Sequence, residues 1–416
     1  MLRHIRAAMP THERQSGRTA FAPIDFRTRF PALDGIRALA IVGVFAEHYG
    51  GGSHGGLVLN AINTVRGRGW LGVDLFFVLS GFLITGILYD TLGDSRYFQR
   101  FFARRSLRIF PVYYAVFVLL LLLTPWLHYQ WRPGHALFLV YLGNFLGNYN
   151  FDYYTIFTGV RDGLRIHPGL RVDIGHFWSL CVEEQFYFLW PVAVFLLRTR
   201  RRILAAAFTL CAVAFALRCV VVTHAAAPLA EQWIVRTLPF RMDALLAGAV
   251  LALLLRGPNA DKVQRGCKAA FLLGAAATLS IFWLSPDYDS PWLLTIGYTV
   301  IALACAGLIG STLRLGGPAF RLFHLRPLRV LGKYSYGFYI YHLLFRSEWI
   351  ALLVYLQHKT HSLAVSGVIA LSLNFALTFA VSKLSYDLFE SKILRFKRGF
   401  EYDAEVRTHR HAFRTE

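Results

Sequence analysis

The apolar residues of this chain fall in runs of roughly 18–22, the length an α-helix needs to cross a hydrocarbon core of about 30 Å. Lipid offers the backbone no hydrogen-bond partner, so each run is expected to satisfy itself as a helix. Ten segments qualify, at about 33–50, 70–90, 109–127, 176–197, 203–223, 238–255, 269–285, 293–313, 334–356 and 363–386. Composition agrees, since 56% of the residues are hydrophobic and only 16% charged, against about 25% charged in a soluble chain. The expected fold is an all-α integral membrane bundle of about ten transmembrane helices.

An eleventh apolar piece, about 135–147, is too short to cross, and charge decides its place. Basic clusters precede the first run and recur at Arg96–Arg108, Arg198–Arg202, Arg256–Lys268, Arg314–Lys333 and after Lys392. With ten crossings all of them share one side, as the positive-inside rule requires; with eleven, the cluster at Arg198–Arg202 and those after it change sides. The piece is therefore expected to be re-entrant or interfacial, with both termini cytoplasmic and 128–175 outside or dipping into the membrane. Trp126, Trp131, Tyr149, Tyr153 and Tyr154 could stack on sugar rings there, and interfacial anchoring explains them equally well.

The expected organisation is a flexible cytoplasmic tail (1–32), one membrane domain (33–390) and a basic cytoplasmic tail (391–416). The first 32 residues show no apolar stretch followed by a small-residue cleavage site, so no signal peptide is expected. The net charge of +20 is absorbed by the same basic loops, and nucleic acid is not an expected partner. The five Cys show no metal or disulfide spacing, so no metal is expected.

An ionisable side chain inside a span costs roughly 2.5–3.5 kcal/mol, which makes the few present informative. In the first run, Arg37 and His48 are eleven steps of about 100° apart, so they share a stripe and differ in height by about 16–17 Å. The bland alternative is an arginine snorkelling beside Asp34 and a histidine at the interface. The second run buries Asp74 and Ser80. Near the third stand Arg104, Arg105 and Arg108, whose planar forks suit phosphate, although the positive-inside rule also accounts for them. The fourth carries adjacent carboxylates, Glu183 and Glu184, pointing about 100° apart with no cation nearby in sequence. Ser179 and His176 lie about one and two turns outward of them. Arg241 and Asp243 are expected to be an ion pair of no catalytic consequence. Ser335, Tyr336, Tyr339 and His342 follow.

Taken in order, these motifs resemble the acyltransferase-3 family of membrane O-acyltransferases. The matching pieces are LDGIRALAIVGVFAEH with its Arg-x10-His, GVDLFFVLSGFLIT, FFARRSLRIFPVYY, HFWSLCVEEQFYFLWP, FRMDALLAG and LGKYSYGFYIYH. The resemblance implies transfer of an acyl group, usually acetyl from cytoplasmic acetyl-CoA, to hydroxyls of a carbohydrate acceptor outside a bacterial inner membrane. It implies His48 as catalytic histidine, Arg37 as its partner, and Glu183 as the acid the family keeps most often, with Glu184 and Asp74 as further candidates. Arg104, Arg105 and Arg108 are candidates for the CoA end, and Ser179, His176, Tyr339 and His342 for the acceptor.

Two features depart from the family pattern: Glu47 precedes His48, and no hydrolase-like soluble domain is expected after the last run, so a complete reaction within the membrane domain is expected rather than a relay. The expected chemistry has His48 as general base with Glu183 orienting its ring, or an acetyl-imidazole intermediate in its place. The rival reading is a transporter or flippase for a lipid-linked saccharide, whose pathway would also carry buried Glu, Arg and His. A purely structural partner in polysaccharide assembly is the third.

Overall fold

A computed structural model describes residues 30–49, 63–148, 155–157, 160–161, 164–165, 171–285 and 287–402. The N-terminal segment before Phe30 and Tyr149, Tyr153 and Tyr154 lie outside the described residues. The main helices are α1 (Pro31–His48), α2 (Leu71–Asp90), α3 (Tyr97–Leu127), α4 (Trp178–Leu197), α5 (Arg200–His224), α6 (Ala227–Arg236) and α7 (Leu238–Leu254). They continue with α8 (Ala260–Leu284), α9 (Tyr298–Thr312), α10 (Arg326–Lys333), α11 (Ser335–Tyr341), α12 (Arg346–Thr360) and α13 (Leu363–Ser385).

Among the described residues, seven helices are long and apolar enough to cross a membrane, or eight if α6 and α7, bent by 41°, count as one span. The expected ten is not reached, for physical reasons. The 18-residue α1 carries Asp34, Arg37 and Glu47, too many charges for an apolar span by composition, and it leaves only Leu39 and Val42 among its large apolar side chains exposed. Its Ile36, Ala38, Ala40, Ile41 and Val44 are buried. The expected span at 334–356 is broken at His342–Phe345 into the short α11 and the 15-residue α12. Backbone irregularity at membrane depth is tolerated only where protein encloses it, and His342, Leu343 and Leu344 are buried.

The piece expected at 135–147 is a string of short turns, Pro133–His135, Ala136–Leu139 and Gly143–Asn148, none long enough to cross. Two phenols of α3 hold it, Tyr113 donating to the Phe138 carbonyl and Tyr114 to that of Leu139, both at 2.8 Å. The helical bundle carries two short β pairings just beyond. Thr155–Phe157 pairs antiparallel with Arg171–Asp173, and Val160–Arg161 with Leu164–Arg165. The Asp173 N–H then reaches the Leu344 carbonyl at 3.0 Å and ties this ladder to the break after α11.

Two helix ends extend past the apolar runs. α3 begins at Tyr97, about three turns before the expected start, so Arg104, Arg105 and Arg108 lie inside the helix. At the other end of the chain, the expected tail starts as helical turns, Ser391–Leu394 and Arg395–Phe400. Arg104 holds them by donating to the carbonyls of Lys397 and Phe400, each at 3.3 Å.

Helices α2 and α7 approach closely because glycines face each other across them. A Cβ on Gly81 would stand 1.7 Å from the Leu245 carbonyl oxygen, and one on Gly248 would stand 1.9 Å from that of Val78. Small residues let backbones pack at such range, the main source of attraction between helices that lipid already solvates. The same two helices share a charge pair, Arg241 Nη2 to Asp74 Oδ1 at 2.6 Å, with the guanidinium 3.9 Å from the Tyr298 ring. Arg241 and Asp243 therefore do not pair with each other. Asp243 instead takes Arg218 of α5 at 2.8 Å, and Arg218 also donates to the carbonyls of Phe240 (2.7 Å) and Thr295 (3.1 Å).

Two outcomes follow for stability in detergent, read by thermal unfolding. Gly248→Val collides with backbone and is expected to abolish a monodisperse folded protein, whereas Gly367→Ala, with nothing within 4 Å of the new Cβ, leaves the melting temperature unchanged or slightly higher. Asp74→Ala strands Arg241 and is expected to cost about 3–5 kcal/mol, with Arg241→Met on top recovering most of it.

Candidate active site

α1 carries His48 to its last position, beside the break that follows α11. His48 Nδ1 lies 2.8 Å from the Val44 carbonyl oxygen and 3.3 Å from His342 Nε2. A third imidazole, His176, packs on the far side of His342, with ring centroids 5.0 Å apart in both the His48–His342 and His176–His342 pairs. Each inner ring is held by backbone: His342 Nδ1 is 2.7 Å from the Tyr339 carbonyl, and His176 Nε2 is 3.2 Å from that of Ile340. The Tyr49 phenol closes the joint by donating to the His342 carbonyl. Asp173 accepts from the Gly175 N–H at 2.9 Å and so fixes the turn that carries His176. Burial raises the Asp173 carboxyl above its ordinary range despite that bond and the nearby Arg346 and Arg171.

His176, Ser179, Tyr339 and His342, expected at the acceptor, are 3%, 5%, 6% and 1% exposed, whereas His48 is half-buried. They bond to one another and to backbone. Tyr339 Oη donates to the His176 carbonyl at 2.7 Å and meets Ser179 Oγ. These four pack behind His48 and present almost no surface. Among the described residues, no group of three His, Cys, Asp or Glu is arranged to hold a metal ion.

About one turn inward of Ser179 stands a second cluster. Glu183 accepts from Ser80 Oγ at 2.7 Å and from Tyr187 Oη at 2.9 Å, and Arg105 Nη2 lies 3.8 Å from Oε2. The Arg105 guanidinium sits 3.8 Å above the Tyr187 ring. His176, Ser179, Glu183 and Tyr187 recur at intervals of three and four, so one stripe of α4 and its leading turn joins the two clusters. No hydrogen bond or ion pair connects Glu183 to His48 among the described residues, so the expected orientation of the imidazole by Glu183 is corrected: His342 stands there instead. Arg37 pairs with Asp34, and both lie at the opposite end of α1 from His48.

The remaining candidates separate. Glu184 turns away from its neighbour, and its Oε1 is buried without a hydrogen-bond partner. Asp74 is occupied by Arg241, and among the described residues it makes no hydrogen bond or ion pair with the three imidazoles. Of the three arginines expected at the CoA end, Arg104 is taken up by the C-terminal turns and Arg105 by Glu183. Consecutive helical residues point about 100° apart, which is why these two diverge. Arg108 has no hydrogen-bond or ion-pair partner among the described residues.

Reasoning from sequence missed Arg218, Tyr187 and Tyr49. A lone arginine inside TLCAVAFALRCVV was a usable signal, as was a tyrosine four residues after Glu183. Nothing in the chain marks Tyr49 as reaching a carbonyl 293 positions away.

A bundle of apolar helices enclosing an imidazole cluster and a carboxylate–arginine cluster defines a multi-pass membrane protein with a polar column through its core. The chain belongs to the acyltransferase-3 family: a match to the acyltransferase domain covers residues 30–384. It is 28% identical over 389 residues to the O-acetyltransferase OatA of Staphylococcus aureus, covering 89% of this chain and 58% of that protein. It is 26% identical over 389 residues to the peptidoglycan O-acetyltransferase OatA of Listeria monocytogenes, covering 90% and 57%. The chain thus spans little more than half the length of these relatives. No solved structure matches.

The adjacent carboxylates are expected to respond oppositely to removal. Glu183→Leu removes the carboxylate that bridges Arg105, Ser80 and Tyr187 and should cost about 3 kcal/mol in a thermal melt. Glu184→Leu removes a carboxylate with an orphaned oxygen and should leave stability equal or higher.

Proposed function

We propose that the chain is an acyl-CoA-dependent O-acyltransferase of the bacterial inner membrane, with both termini cytoplasmic. It moves an acyl group, acetyl in the simplest case, from a cytoplasmic thioester to a carbohydrate hydroxyl on the outer side. The names of the relatives support acetyl as the group and peptidoglycan as the acceptor class. The observation that carries the reading is the position of His48: a half-buried imidazole at one end of α1, with Arg37 and the arginines of α3 toward the other end.

The donor's phosphates are bound by Arg108, with Arg105 close by; Arg104 takes no part, because its donors already hold the C-terminal turns. The height of about 16–17 Å between Arg37 and His48 suits an extended pantetheine arm threading the column. Bulk water is kept from that column by Tyr339, Ser179 and the two inner histidines. At its outer end His48 removes the proton from the acceptor hydroxyl as the oxygen attacks the thioester carbonyl. The C–S bond then breaks, and the leaving thiolate takes the proton back from His48, giving ester and CoA thiol. Glu183 holds Arg105, Ser80 and Tyr187 in place along the route and does not touch the base.

Inside-out vesicles given labelled acetyl-CoA test this. His48→Ala is expected to lower acceptor acetylation by about 10²–10⁴-fold with folding intact; unchanged transfer rejects the reading. Arg108→Ala should raise the apparent KM for acetyl-CoA, and Arg104→Ala should leave it within about twofold. Movement of unmodified saccharide without consumption of acetyl-CoA would mark a transporter instead.

A further inference from the structure

We propose that His342 is a positioning residue that, together with the Val44 carbonyl, fixes the tautomer of His48, so that Nε2 is the nitrogen offered to the acceptor hydroxyl. The inference rests on the reading of His48 as the base and names the group that acts through it.

The argument follows from which atoms can donate. A backbone carbonyl oxygen only accepts, so the contact of 2.7 Å between His342 Nδ1 and the Tyr339 carbonyl places the proton of His342 on Nδ1. A neutral imidazole then has a lone pair on Nε2, and that atom faces His48 Nδ1 at 3.3 Å. His48 Nδ1 also lies 2.8 Å from the Val44 carbonyl, which again only accepts. Both neighbours of His48 Nδ1 are therefore acceptors, and the proton of His48 must sit there, shared between them. Its Nε2 is left as the lone-pair nitrogen, with no hydrogen-bond partner among the described residues.

The alternative tautomer puts three lone pairs together, on His48 Nδ1, His342 Nε2 and the Val44 carbonyl. In a site that water does not relax, that arrangement is disfavoured. His342 is 1% exposed, so no solvent replaces it as acceptor. Its position is fixed twice over: the Tyr49 phenol, adjacent in sequence to His48, donates to the His342 carbonyl, and Tyr339 supplies the carbonyl that orients the ring. When His48 takes a proton on Nε2, the Nδ1–H bond to His342 persists and strengthens, because the donor is then cationic. The proton returns from Nε2 to the thiolate, and His342 gains and loses nothing. Elsewhere a carboxylate plays this part, and loss of that group from a serine-protease triad lowers kcat about 10⁴-fold through the wrong tautomer. A neutral imidazole acceptor is weaker, so a smaller effect of about 10²-fold is expected.

The test uses the full chain in lipid bilayers with ¹⁵N-labelled histidine, the His48 signals being identified by their loss in His48→Gln. The expected spectrum has a protonated Nδ1 and an unprotonated Nε2 on His48; the reverse overturns the proposal without any mutant. His342→Phe should move His48 toward the other tautomer and lower kcat about 10²-fold, with KM for acetyl-CoA within about twofold. His342→Gln, whose side-chain carbonyl accepts from Nδ1–H, should recover most of both. If His342→Phe keeps full kcat and the original spectrum while His48→Ala is inactive, this inference alone fails. If His48→Ala is itself active, the proposed function fails, whatever the tautomer. Should His342→Phe not fold, the wild-type spectrum still decides.

Discussion

Arg218, Arg241 and Arg105 enter the bundle on α5, α7 and α3, and each meets a carboxylate that another helix supplies. A guanidinium left alone among lipid-solvated helices costs several kcal/mol, so each pairing forces two helices into one register. Asp74 binds α2 to α7, Asp243 binds α7 to α5, and Glu183 draws α4 against α3. The glycine contacts between α2 and α7 fix the distance, and the charge pair fixes rotation and height. Hydrophobic burial alone does neither in a bilayer, because apolar faces lose little by meeting lipid instead of one another.

The same economy shapes the column that the function uses. α1 carries enough charge to be a poor lipid-facing span, and most of it is packed by its neighbours while Leu39 and Val42 stay exposed. The break between α11 and α12 exposes backbone carbonyls at a depth where they need partners. Two of the carbonyls just before it, on Tyr339 and Ile340, take the imidazoles of His342 and His176. Interruption of the helix thus creates the acceptors that orient the histidine cluster. A continuous span over 334–356 would have used those carbonyls within its own ladder.

Membership in the family accounts for the order of the motifs but not for the division of labour among them. Glu183 and Glu184 are neighbours in the chain, yet one anchors Arg105, Ser80 and Tyr187 while the other has an orphaned oxygen. Arg104 and Arg105 are likewise adjacent, and one clasps the C-terminal turns while the other faces the column. A rotation of about 100° per residue separates such pairs, and which side is which depends on what each helix packs against.

The amino-acid sequence by itself determined that this is a helical membrane protein, because runs of apolar residues at bilayer length permit little else. It also marked Arg37, His48, Asp74, Glu183 and Arg105 as unusual, since a charge in such a run is costly wherever it ends up. The short piece at 135–147 was legible as non-spanning from its length. What tertiary structure alone decided was partnership. Arg241 takes Asp74 rather than Asp243, two positions away; His48 takes His342 rather than Glu183; and the candidate span at 334–356 breaks at His342–Phe345, where Leu344 meets Asp173. Each of these is a contact between residues far apart in the chain, set by the distance and rotation of neighbouring helices. Periodicity within one segment fixes which residues share a face, but it carries no information about what that face meets.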